Sequence, residues 1–368
     1  MDNRKINTDA NGHAFSKCDT KVLKGIAVTL MIIHHLYAFP ERFPHTISYI
    51  SMYSLDGSTI EYFVGRFGKI CVAIFMFLSG YGTYLSFHSS NKDITINIAN
   101  KLKKLYFSYW KVFLIFIPIG MMLKVEIISK DLLSIFYNFT AIRISYNGEW
   151  WFLTPYIVTM LLFPLFHKWI DRKSAQLFID CFEIITLGAF IQYIIPVILQ
   201  FCLFEHFRHS LYWSIIYPVL TLLPQFLMGC IVAKYNLFKT YKELFSKEVV
   251  GFCTSLFLMI LVFYLRHKLG GSFDYIYAPI FIVASISVIK KLPLLYHIFE
   301  KIGEESTTIW LTHSFYCYHF CPEFIFLPKY SLFILLWLLL ICYVTAKLIN
   351  LGYSKINALL KKQNQCTI

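Results

Sequence analysis

Charge is scarce in this chain. Only 15% of its 368 residues are Asp, Glu, Lys or Arg, and 21 acids face 34 bases. A soluble domain of this length carries roughly a quarter charged residues, so composition excludes an ordinary soluble globule. Strict apolar–polar alternation is missing as well, which disfavours a transmembrane β-barrel. Ten cysteines are present, yet no C-x-x-C pair or zinc-like spacing occurs. Cys317 and Cys321 stand one helical turn apart and read as free apolar thiols. There is no internal repeat, no low-complexity tract and no polar stretch long enough for a second, soluble domain. No small-residue cleavage site follows the first apolar run, so that run is expected to remain as a helix.

What the chain has in abundance is apolar sequence. Hydrophobic residues make up 57% and aromatics 18%, and mean hydropathy is +0.59. The ~20-residue length needed to cross a bilayer predicts ten spans, near 22–39, 69–87, 106–124, 150–168, 177–200, 211–233, 249–266, 273–290, 304–325 and 331–349. The expected fold is therefore all-α, a polytopic integral membrane helical bundle, multi-pass in a cell (plasma or inner) membrane and in contact with its lipids. Three segments are expected: a polar stretch 1–21, a transmembrane domain 22–349 and a basic tail 350–368. An even number of spans places both termini on one side. Of the 34 Lys and Arg, 23 fall in segments on that side and 10 in the opposite loops, so both termini are expected in the cytoplasm. The net charge of +13 is thereby a topological signal and does not call for nucleic acid. The outer connections near 40–68 and 125–149 carry Tyr49, Tyr53, Tyr62, Tyr137 and Tyr146. They suit either an extracytoplasmic ligand or a resting place on headgroups.

The first span holds the clearest chemistry. In "LKGIAVTLMIIHHLYAF" (Leu23 to Phe39), Lys24 and His35 are eleven residues apart. At 100° per residue this is within about 20° of whole turns, so both lie on one helix face, roughly 16 Å apart along the axis. His34 points about 100° away. A cation at the membrane rim can hold a phosphate. A neutral imidazole deep in the span can take a proton from a hydroxyl. The plainer alternative is a snorkelling lysine and histidines that bond neighbouring helices.

Together with four later stretches, that helix resembles the acyltransferase family 3 membrane proteins. Lys24-Gly25-Ile26-Ala27 followed by His35 is similar to their basic residue, ten intervening residues and histidine, with lysine where arginine is commoner. "IFMFLSGYGTYLS" (Ile74 to Ser86) looks like the second helix. "KLKKLYFSYW" (Lys101 to Trp110) looks like the basic element opening the third, with Lys101 and Lys104 in place of two arginines and Phe107 where proline is usual. "WWFLTPYIVTMLLFPLF" (Trp150 to Phe166) resembles the Trp-x-Leu…Pro helix, with Trp151, Leu153 and Pro164 in register and Tyr156 where many members carry glutamate. "IGEESTTIWLTHSFY" (Ile302 to Tyr316) is similar to the late helix, giving Gly303, Ser306 and His313.

The resemblance covers roughly residues 22 to 349 and implies an integral membrane O-acyltransferase, most often an O-acetyltransferase. Such an enzyme moves an acyl group from cytoplasmic acyl-CoA, here acetyl-CoA, to a carbohydrate outside, a cell-surface polysaccharide or its lipid-linked precursor. On this reading His35 and His313 are catalytic, and Lys24, Lys101 and Lys104 bind the coenzyme A phosphates. His313 stands about ten residues into its span and His35 about thirteen into its own, so their depths differ by only about 5 Å. Glu149, Trp151 and Ser79 are candidate substrate contacts, with interface anchoring or close helix approach as the plainer alternatives. Lys111, inside the third span, either snorkels or lines the acyl-CoA channel. No Gly-x-Ser-x-Gly elbow occurs, and no metal site is expected. The rival class is a glycan transporter or flippase that uses the buried histidines for proton coupling or ligand contact. No inverted repeat supports it.

Overall fold

The computed structural model describes residues 15–55, 57–89, 93–172, 176–201 and 205–366. Most of the expected segment 1–21 therefore lies outside the described residues. The main helices are α1 (Lys17–Tyr37), α2 (Ile60–Gly68), α3 (Ile70–His88), α4 (Ile94–Met122), α5 (Leu132–Phe139), α6 (Leu153–Ile170), α7 (Leu177–Ala189), α8 (Leu211–Lys234), α9 (Glu248–Leu269), α10 (Asp274–Ile289), α11 (Pro293–Glu304), α12 (Ser306–Ser314) and α13 (Ser331–Cys366). Among the described residues the only sheet is the pair Ser54–Leu55 and Ser58–Thr59. The protein is all-α, as expected.

Local chemistry sets the helix starts. Ser16 and Asp19 form a reciprocal cap: the Ser16 amide donates to Asp19 Oδ2 at 2.9 Å, and the Asp19 amide to Ser16 Oγ at 3.0 Å. This cap starts α1 five residues before the apolar run. Asp131 caps α5 by accepting from the Ser134 amide at 2.9 Å. The boundary expected at residue 350 is crossed by α13, which continues as helix to Cys366.

Eight stretches among the described residues are long and apolar enough to cross a membrane: Ile60–His88, Ile94–Met122, Gly148–Ile170, Leu177–Ile198, Tyr212–Lys234, Glu248–Leu269, Gly271–Ile289 and Ser331–Lys355. They match eight of the ten expected spans. The other two fall short for physical reasons. Helix α1 carries Lys17, Asp19, Lys21, Lys24, His34 and His35 in 21 residues. The 304–325 run is cut into α12, nine residues long, then a π-helical turn at Phe315–Phe320 and a short helix from Pro322. These two elements, one polar and the other interrupted, are the ones that hold His35 and His313.

The chain divides into two compact units. The first comprises residues to Leu30, Arg66–Leu102 and Trp151–Glu304. Within it α3 crosses α8 at Gly80 and Gly229. A Cβ on Gly80 would stand 1.9 Å from the Phe226 carbonyl oxygen, and one on Gly229 2.1 Å from that of Phe77, so only glycine permits this approach. The N-terminal part of α1 meets α11 in the same way. A Cβ on Gly25 would lie 2.0 Å from the Phe299 oxygen, and one on Gly303 1.8 Å from the Lys21 oxygen. Charges buried in this unit are matched. Arg266 makes a two-point bridge to Asp274 at 2.7 and 3.0 Å, and donates to the carbonyls of Arg66 and Phe67, the orphan acceptors at the end of α2. The buried Asp180 accepts from Arg172, Lys234 and Tyr235 at 2.9, 3.1 and 2.9 Å.

The second unit comprises Met31–Gly65, Lys103–Trp150 and Glu305–Ile368. Its core is aromatic. Trp150 is fully buried; its ring lies 4.9 Å from Tyr109 and 5.5 Å from Phe315, each near edge-to-face. Tyr37, at the end of α1, donates to the Ser331 carbonyl at 2.5 Å.

Candidate active site

The second unit brings His35, His313 and Glu149 together. The two imidazoles lie 4.9 Å apart, centre to centre, with a 42° tilt. His35 Nε2 is 3.2 Å from Glu149 Oε2. A carboxylate oxygen repels a ring lone pair, so this contact favours the tautomer with its proton on Nε2 and its lone pair on Nδ1. Tyr318 Oη stands 3.4 Å from that Nδ1, but its proton goes to the His35 carbonyl at 2.6 Å. His313 is fully buried. Its Nδ1 lies 2.7 Å from the Trp310 carbonyl and must donate, which leaves the lone pair of the neutral ring on Nε2. That Nε2 has no hydrogen-bond partner among the described residues. A buried acceptor left open is costly for structure alone.

Glu149 is held from several directions. Its Oε1 accepts from Arg42 Nη1 at 2.7 Å. Arg42 follows α1 in a short 3-10 turn, Pro40–Arg42, and its guanidinium lies 4.1 Å over the Phe39 ring. The main chain around Glu149 is tied to α12. Trp310 Nε1 donates to the Glu149 carbonyl at 3.0 Å, and Trp150 Nε1 to the Leu311 carbonyl at 2.9 Å. Asn147 and Ser314 exchange hydrogen bonds at 2.7 and 3.0 Å, and the Asn147 oxygen also accepts from the Glu149 amide.

A cavity of about 320 Å³ opens in the same unit, with Thr46, Ser48, Tyr49, Glu323, Phe326 and Lys329 in its wall. Phe43 stands between this cavity and the histidines. Its ring is 4.9 Å from Phe326 and 5.3 Å from Tyr318.

The remaining candidates have different surroundings. Lys104 is exposed on α4. Lys101, in the first unit, donates to the Gly82 carbonyl at 3.2 Å and to Thr83 Oγ1 at 2.9 Å. Lys24, also in the first unit, is half-buried on α1. Ser79 donates to the Met160 sulfur at 3.5 Å. Trp151 is 40% exposed; the tryptophan built into the histidine site is its neighbour Trp150. His34 is a packing residue, with Nδ1 2.7 Å from the Gly65 carbonyl. Lys111 donates to Asn350 at 3.0 Å beneath the Phe107 ring. Sequence reasoning missed Arg42, Tyr318, Asn147, Trp310 and Ser314. The one signal for any of them was the aromatic run into Pro322, which marks a broken helix.

The family profile described as an acyltransferase domain, that of acyltransferase family 3, matches residues 20–353. No curated protein and no solved structure matches the chain. The profile spans α1, which carries Lys24 and His35, and α12, which carries His313, and it covers nearly the whole chain. The chain belongs to acyltransferase family 3 and is a multi-pass membrane acyltransferase.

Proposed function

We propose that the protein is an acyl-CoA-dependent O-acyltransferase, in the simplest case an O-acetyltransferase. Its acceptor on this reading is a hydroxyl of an extracytoplasmic polysaccharide or of its lipid-linked precursor. Residence in the cell (plasma or inner) membrane with both termini cytoplasmic follows from the distribution of basic residues. The observation that carries the reading is the histidine pair: two buried imidazoles 4.9 Å apart, one with an unpartnered acceptor nitrogen.

The donor enters from the cytoplasm, and Lys24, Lys101 and Lys104 hold its phosphates as point charges. The acceptor enters from outside, by way of the cavity beside Phe43. Its hydroxyl takes the place at His35 Nδ1 that Tyr318 occupies at 3.4 Å. His35 accepts the hydroxyl proton as the oxygen attacks the thioester carbonyl. The new C–O ester bond forms, the C–S bond breaks, and the proton passes from His35 to the departing thiolate. Ester and free coenzyme A thiol are the products, so no proton is gained or lost. His313 Nε2 accepts from a second hydroxyl and so orients a polyol. The rival reading, a glycan transporter, has no support from the family.

Loss of base-labile acyl groups from surface glycans in a His35→Ala strain tests this. Transfer should fall about 10³-fold, within the range for a lost general base, while the amount of folded protein is unchanged. A His35→Ala protein that transfers at the wild-type rate ends the reading. His313→Ala should act more on KM for the acceptor than on kcat.

A further inference from the structure

Resting on the acyl-transfer reading above, we infer that Glu149 is a positioning residue that acts through His35, with Arg42 as its anchor on the other side. The sequence suggested a different role for Glu149, as a contact of the acceptor. Both of its carboxylate oxygens are already engaged, Oε2 with His35 Nε2 at 3.2 Å and Oε1 with Arg42 Nη1 at 2.7 Å.

Three features make this more than a chance ion pair. The first concerns the proton. An imidazole has two tautomers, and only the one with a free lone pair toward the acceptor can serve as base. With its charged oxygen 3.2 Å from Nε2, Glu149 disfavours a lone pair there and so favours the tautomer with the lone pair on Nδ1. It also places a negative charge beside the imidazolium that forms when Nδ1 takes the hydroxyl proton. The second concerns exposure. The side chains are 42% exposed at Arg42, 14% at Glu149 and 10% at His35. The carboxylate is thus screened from water where it meets the imidazole, and its other oxygen is compensated by a guanidinium that stays wet. A buried carboxylate without such a partner would be far less favourable. The third is rigidity. The Asn147–Trp150 segment that carries Glu149 is fastened to α12 by Trp310, Trp150 and the Asn147–Ser314 pair. The helix that supplies His313 therefore also fixes the carboxylate that aims His35, and a site of this kind depends on such support.

Removal of the charge should lower turnover without weakening donor binding. We expect Glu149→Gln to reduce kcat for transfer from radiolabelled acetyl-CoA into the surface glycan of permeabilised cells about 100-fold, with KM for acetyl-CoA within twofold of wild type. Arg42→Gln, at an exposed position where folding is not at issue, should reduce kcat about tenfold. The decisive arm is a double-mutant cycle. In a His35→Ala background, Glu149→Gln should have no further effect, because the group it aims is gone. A purely structural role would subtract again in that background.

Losses that add overturn the inference while acyl transfer stands, as does a Glu149→Gln or Arg42→Gln protein that keeps kcat within twofold. A Glu149→Gln protein that loses donor affinity or melts earlier in step with its activity also overturns it. Wild-type cells that move no label from acetyl-CoA to glycan remove the acyl-transfer reading itself, and the inference with it.

Discussion

Two buried polar groups, the Arg266–Asp274 bridge in the first unit and His313 in the second, are treated in opposite ways. In the first unit both carboxylate oxygens of the Arg266–Asp274 bridge accept from the guanidinium, which also donates from Nη1 to the Arg66 and Phe67 carbonyls. In the second unit His313 is as deeply buried, yet its Nε2 is left open. His35 beside it has the Glu149 carboxylate 3.2 Å from Nε2 and a long contact, 3.4 Å, at Nδ1. A closed network costs free energy to open and so holds helices in place. An open acceptor costs free energy to maintain, and it persists where a substrate is to complete it. Burial alone does not separate structure from chemistry in this protein, and neither does an open atom alone, since Thr159 and Gln225 also carry one; what sets His313 apart is an open nitrogen beside a second imidazole.

Breaking one network of each kind sharpens the contrast most. Arg266→Ala leaves Asp274 as a buried, unpaired carboxylate and frees two helix-end carbonyls, a loss expected to be about 3–5 kcal/mol. It should appear as a large drop in the denaturation midpoint in detergent and in the yield of folded protein. His35→Ala should leave that midpoint near wild type and remove transfer. If Arg266→Ala is as stable as wild type, closed and open networks do not differ as argued. Replacing both members, Arg266→Met with Asp274→Leu, should recover most of the loss, because no uncompensated charge then remains.

Glycines offer the same contrast one step down in size. Gly303 meets the Lys21 carbonyl so closely that a Cβ would sit 1.8 Å from its oxygen, whereas Gly82 has nothing within 4 Å. Gly303→Ala forces α11 away from α1 and should cost about 1–3 kcal/mol. Gly82→Ala, on an open face of α3, should be neutral or stabilising by up to about 1 kcal/mol. Equal thermal shifts for the two variants would contradict the close crossing.

How much of this was legible beforehand differs between site and scaffold. The eleven-residue step from Lys24 to His35 needs only helix geometry, and α1 carries both. The similar depth of His35 and His313 rested on counting residues into two spans, and the rings do stand 4.9 Å apart. The ten expected spans rested on apolar length, and eight stretches meet it outright; α1 and the 304–325 run fall at its margin, the one through its polar residues and the other through its break. Those two elements carry the histidines, so the apolar pattern is weakest at the site. Arg42 and Tyr318 were not legible. Arg42 lies in a turn after Pro40 whose direction no periodicity encodes. Tyr318 lies in the π-helical turn Phe315–Phe320, where the wider winding changes which residues share a face. Glu149 was noticed, but for the acceptor: a sequence shows that a carboxylate is present, not that Arg42 and His35 already stand against its two oxygens.

The finest form of the comparison sets two lysines three residues apart on α1 against each other. Lys24 is half-buried, and the proposed donor path gives it a phosphate; Lys24→Ala should raise KM for acetyl-CoA about tenfold and leave the midpoint unchanged. Lys21 already has its anion, Glu304 Oε1 at 2.9 Å, but the two side chains are 42% and 27% exposed. Water and salt screen such a pair, and holding two long side chains in one geometry costs entropy, so its worth is about 0–1 kcal/mol. Glu304 keeps a second cation in reach, Lys301 at 3.5 Å, which reduces the loss further. Lys21→Ala should therefore shift the midpoint by no more than about 1 °C and leave transfer and KM at wild-type values. Should Lys21→Ala raise KM for acetyl-CoA as much as Lys24→Ala, the donor's phosphates are read by the general positive charge of this helix end, and the distinction between a paired and a waiting ammonium fails.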